Sequence, residues 1–192
     1  MSTQAKNASQ QMLHIATVVA SHGFAVVAIG YGGCSMPGCS GCRSRYPFTY
    51  TIGMVERGQP ELMLFGLEPE SAHFGISWVA NEALAGRPVP VDMPMEVNNV
   101  AIKLVDVPNQ WLIADRSRMA MWFNHYGPGR ERLTEPAVRQ LVWADADGRF
   151  PDDPSCNPKI AAMQPVLKVD PHRYPKIEPR RISSHRKRKK RR

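Results

Sequence analysis

The chain has 192 residues, with 43% apolar residues and a formal net charge of +8. A chain of this length can bury roughly 70% of its unfolded surface, enough for one packed core without staples. It holds no run near the roughly 18 apolar residues of a membrane span, and its polar start, MSTQAKNASQQ, lacks an apolar signal core. These features place it in the cytoplasm by expectation, where thiols stay reduced and four cysteines favour metal or free thiol over disulfides.

The charge is divided unevenly. Residues 173–192 hold eleven Lys or Arg against one acid, a net +10, while residues 1–172 hold fourteen bases and sixteen acids, a net −2. The body is therefore mildly acidic and the cationic character belongs to the C-terminus.

In chain order, residues 1–9 read as a flexible N-terminus and residues 8–21 as a helix. Met12, Ile15, Val18 and Val19 share one face of it, and Gly23 stops it. FAVVAI, Phe24 to Ile29, is a buried strand. The Gly-rich segment 30–47 carries three cysteines. FTYTIGM, Phe48 to Met54, and ELMLF, Glu61 to Phe65, are strands by composition. A helix runs from Pro69 to about Gly86, with Ala72, Ile76, Val79, Ala80 and Ala83 as its apolar stripe. Residues 87–99 are broken by prolines, and Val100 to Val107 is a strand.

A further helix starts near Asp115, with Met119, Trp122, Phe123 and Tyr126 on one face, and ends at Gly127-Pro128. Val138 to Trp143 is a strand ended by the turn DADG, and Asn157-Pro158 opens a last short helix. There is no internal repeat. Several strands follow one another through short links, which predicts an α+β fold: a mostly antiparallel sheet with flanking helices in one domain, residues 10–170, followed by a basic tail, 171–192.

Three patterns carry chemistry. Cys34, Cys39 and Cys42 have the spacing C-x4-C-x2-C. The C-x2-C pair suits a zinc knuckle, with Cys34 as third donor and Cys156, His22, His73 or water as fourth. The same spacing with a distant fourth Cys is that of a plant-type two-iron cluster. The bland alternative is a thiol-bearing loop. IGYGG, Ile29 to Gly33, lacks the full dinucleotide-binding pattern, and DADGRFPDD lacks the closing Glu of a calcium loop.

SSHRKRKKRR ends the chain. Arg186, Lys187, Arg188, Lys189, Lys190, Arg191 and Arg192 repel one another and have no apolar mates, so the tail is expected to be disordered when free. Such a run suits nucleic-acid phosphate and offers no base readout, so nucleic acid or a ribonucleoprotein is the partner it implies. A protein partner for the body is a further expectation. Anionic membrane fits the same charge, but no apolar second signal adjoins the run.

PFTYTIG (Pro47 to Gly53), PELMLFGL (Pro60 to Leu67), QLVWADADGRFP (Gln140 to Pro151) and the run Asn157 to Leu167 together resemble the bacterial family known as domain of unknown function 4262. The resemblance covers residues 10–167. It implies a soluble domain of bacterial, often actinobacterial or phage-borne, origin and brings no activity or catalytic residue with it.

Within those motifs, Tyr50, Thr51, Glu61, Trp143 and Asp145 are the candidate pocket residues, provided that their strand ends converge. A small-molecule or metal-dependent enzyme built on them is the alternative to the nucleic-acid reading. In the plainer reading Gly53 relieves a crowded crossing, Trp143 fills the core and Asp145 caps a turn.

Overall fold

A computed structural model describes residues 3–31, 43–108, 119–127 and 137–167. The cysteines at 34, 39 and 42, the expected helix start near Asp115 and the basic tail lie outside the described residues. No helix among the described residues is long and apolar enough to cross a membrane.

The domain is α+β. Among the described residues six strands form one sheet: β1 (Ala25–Tyr31), β2 (Arg43–Ile52), β3 (Glu61–Phe65), β4 (Met95–Val97), β5 (Val100–Val107) and β6 (Val138–Trp143). Their order is β1-β2-β3-β6-β5-β4, and every neighbouring pair is antiparallel except β3 with β6. The last strand in sequence therefore occupies the middle of the sheet. The helices are α1 (Thr3–His22), α2 (Pro69–Leu84), α3 (Ala120–His125) and α4 (Pro158–Met163), with a short 3-10 helix at Met54–Arg57.

The sheet has a core on each face. On one, Ile15 and Val19 of α1 and Trp122 of α3 pack on Val27, Tyr50, Ile52, Met63 and Phe65. On the other, Ala72, Ile76, Val79 and Ala80 of α2 pack on Leu62, Leu64, Leu104, Leu141 and Trp143. Every residue of β3 is buried, which is why LMLF, Leu62 to Phe65, reads as one continuous apolar run rather than an alternation.

Local chemistry explains three of the helix ends. Gly23 has φ 86° and its amide donates to the Val19 carbonyl, so a left-handed glycine closes α1. Pro69 stands in the first turn of α2. The Asn157 side chain accepts from the Lys159 amide and caps α4.

Two differences from the sequence reading have simple causes. α1 begins at Thr3 and so takes in residues expected to be a flexible N-terminus; Ala5, Lys6, Ala8 and Gln10 are good helix formers and no Gly or Pro interrupts them. The segment 87–99 contains β4, which turns into β5 through Asn98 (φ 51°) and Asn99 (φ 61°). Asparagine tolerates the two left-handed positions that such a two-residue hairpin turn demands.

Candidate functional site

The buried polar centre of the domain is Glu61, the first residue of β3, which is fully inaccessible to solvent. It sits where β2 ends. Gly53 follows β2 with φ 118°, and the chain turns there into the 3-10 helix. That turn aims three successive amides at the carboxyl group. Gly53 N lies 3.0 Å from Oε1, Val55 N 3.4 Å from Oε1 and Met54 N 3.4 Å from Oε2. Consecutive amides facing one point form an anion-holding concavity.

Two side chains complete the shell. Thr51 Oγ1 accepts from the Leu62 amide at 2.8 Å, so its hydroxyl proton is directed to Glu61 Oε2 at 2.6 Å. The indole Nε1 of Trp122 donates to Oε1 at 3.1 Å. All five neighbours are donors. Burial pushes the carboxyl above its ordinary range, and the donors, Thr51 foremost, pull it back down without cancelling the rise.

Tyr50 is also fully buried. Burial is the main cause that raises its hydroxyl above the ordinary value, opposed by the nearby amides of Met121 and Trp122. By hydrogen-bond geometry the hydroxyl has no partner among the described residues. Phe48 stacks on Tyr50 at 6.0 Å, and Trp122, whose indole reaches the carboxyl, packs on Tyr126 at 4.7 Å.

Tyr50, Thr51 and Glu61 are thus brought together. Trp143 and Asp145 are not with them. β3 and β6 run parallel with Glu61 opposite Val138 and Leu64 opposite Leu141, so Trp143 lies beyond the far end of β3. The separation along the strands is roughly 13 Å or more at 3.3 Å per residue. There the indole of Trp143 donates to the Phe65 carbonyl at 2.9 Å.

Asp145 holds a turn. Its Oδ1 accepts from the amides of Asp147 (3.0 Å) and Arg149 (2.9 Å), and its Oδ2 from the amide of Asn157 (2.8 Å). These amides, Asn157 first, hold the exposed carboxyl below its ordinary value. Gly53 does sit at a crowded crossing: a Cβ there would stand 2.7 Å from the Gly23 carbonyl oxygen.

Cys156 is a buried free thiol next to this turn. Burial, then the charges of Asp145 and Asp153, push it up, which disfavours the thiolate that a metal needs. No group of three or more His, Cys, Asp or Glu that could hold a metal occurs among the described residues.

Sequence reading missed three members of this architecture. Trp122 was placed on a helix face but not beside Glu61, 61 positions away. Gln140 and Gln164 form a second buried polar lock. Gln140 donates to the Pro165 carbonyl (2.9 Å) and accepts from the Leu167 amide (2.8 Å). Gln164 accepts from the Trp143 amide (3.0 Å) and donates to its carbonyl (2.6 Å). The available clue was a lone carboxamide inside the apolar run VRQLVW.

Comparison with known proteins gives one match. The family model of a domain of unknown function, DUF4262, matches residues 18–157. No curated protein and no solved structure matches the chain. The match takes in all of the Glu61 shell and the Asp145 turn, and stops short of the basic C-terminus.

Proposed function

We propose, for a chain that belongs to the DUF4262 family, a role as a nucleic-acid- or ribonucleoprotein-associated accessory protein that engages phosphate through its last residues. One observation carries this reading: residues 173–192 bear a net +10 on a body of −2. Arg186 to Arg192 supply seven consecutive cations suited to phosphate and not to base edges. The folded body supports a tethering role. Its buried carboxyl group faces protein donors on all sides, and the carboxylates of Glu61 and Asp145 stand at opposite ends of the sheet instead of sharing a pocket.

The test is binding to a DNA duplex and to a single-stranded RNA at several salt concentrations, with full-length protein and with residues 183–192 deleted. The full chain should bind duplex with a log–log salt slope of about −6, for seven phosphates neutralised. The deletion should abolish binding and leave the melting temperature unchanged. Equal binding by the two forms would overturn the proposal.

Zinc at Cys34, Cys39 and Cys42 is a companion proposal that rests on the C-x2-C spacing. Metal analysis of the same protein reads it: one equivalent of zinc supports it, and metal-free protein with titratable thiols refutes it.

A further inference from the structure

α1, the 3-10 helix and α2 end at one place, and between them lies an open cleft of about 430 Å³ lined by Ser21, His22, Arg57, Gln59, Ala83 and Leu84. A cleft of this size holds a small molecule. We propose that it binds a small amino-acid-like zwitterion, with Arg57 taking the carboxylate. This goes beyond the tethering role and does not depend on it.

The charge census of the body points to Arg57. Four arginines have described side chains. Arg87 pairs with Glu82, Arg139 with Asp106 and Arg149 with Asp147. Arg57 has no such carboxylate among the described residues. Arg57 lines the cleft together with Gln59 and His22, so three residues whose side chains can donate hydrogen bonds border one space. A planar, bidentate guanidinium is the side chain best matched to a carboxylate.

The opposite requirement comes from the helices. α1 ends at His22 and α2 at Leu84, both on the cleft. The last carbonyls of a helix lack partners within it and carry its negative end. The glycine at the end of α1 satisfies the Val19 carbonyl, and the turn after α2 satisfies those of Asn81 and Ala83. The end of α1 at His22 brings the negative end of a helix to the cleft. Ser21 already donates its hydroxyl to the Thr17 carbonyl, which leaves its oxygen to accept. A bare anion would meet these negative ends unfavourably. A ligand with an ammonium group next to its carboxylate satisfies both walls.

The cleft is held rigidly. The 3-10 helix that carries Arg57 starts at amides bound to Glu61. Gly53 and Gly23 approach so closely that a Cβ on Gly53 would collide with the Gly23 carbonyl, and one on Gly23 would stand 3.2 Å from Leu84 Cδ1. Leu84 and Ala83 give the cleft its apolar side.

The test is an NMR titration of the full-length protein with L-alanine, acetate, methylammonium and inorganic phosphate, read at the His22 imidazole. L-alanine should shift that resonance saturably, and acetate or methylammonium alone should bind about tenfold more weakly, since each meets one wall. Arg57→Gln should lose saturation by L-alanine while keeping its melting temperature, because Arg57 is exposed. An unmoved His22 with L-alanine, unchanged titration of Arg57→Gln, or saturation by phosphate in preference to L-alanine would each overturn the proposal.

Discussion

Glu61 shows what a single buried acid can organise. One carboxyl group ties the end of β2, the 3-10 helix and α3 to the start of β3, because its two oxygens accept from Thr51, from three backbone amides and from Trp122. Removing it leaves those donors buried without an acceptor, and each such group costs about 1–3 kcal/mol. Glu61→Ala should therefore destabilise the domain by about 3 kcal/mol or more in urea unfolding. Added formate should recover part of the loss, since it fits the vacated donor shell, and should leave the wild type unaffected. An Ala variant as stable as the wild type would contradict this role. Asp145 makes a second residue-scale prediction. Its carboxyl is held below the ordinary value in the folded state. The stability it contributes is present above the unfolded value near 4 and is lost as pH falls through the folded value. Acid unfolding followed below about pH 4 should show this limb in the wild type, and Asp145→Asn should lack it.

At the scale of elements, Gly53 decides how β2 leaves the sheet. Its φ of 118° is closed to other residues, and a Cβ there would also meet Val19 at 2.9 Å. Gly53→Ala should cost about 1–3 kcal/mol from backbone strain alone. It should also perturb the α1–β2 junction, seen as lost hydrogen-exchange protection near Val19; an unchanged exchange pattern would refute the packing argument.

The elements that sequence made legible were those whose pattern was decided locally. β3 showed itself as four apolar letters after a glutamate, β5 matched at both ends, and α2 was framed by Pro69 and a closing glycine turn. The pairing of β3 with β6 was not legible, because parallel neighbours far apart in sequence leave no local trace. For the same reason the chain did not disclose that Trp122 would reach Glu61, nor that Trp143 would lie away from it. The crowding at Gly53 and the turn held by Asp145 could be read, since both follow from residue chemistry at the position itself.

For the whole molecule, chemistry is partitioned between a body and an end. The body spends its buried polar groups on its own architecture: Glu61 locks one end of the sheet, and Gln140 with Gln164 locks the chain after α4 against β6. That second lock brings the chain back to the sheet, with Val166 and Leu167 in the core, just before the cationic residues begin. The last described residues are thus fastened to a central strand of the sheet.

The strand order has a consequence for how such a protein is made. Until β6 has been synthesised, β1-β2-β3 and β5-β4 are separate pieces, each with an open inner edge. Open edges invite pairing with another copy. A nascent chain interrupted between Val107 and Val138 therefore leaves two unsealed fragments rather than a smaller domain, and the strand that joins them is the last of the six to arrive.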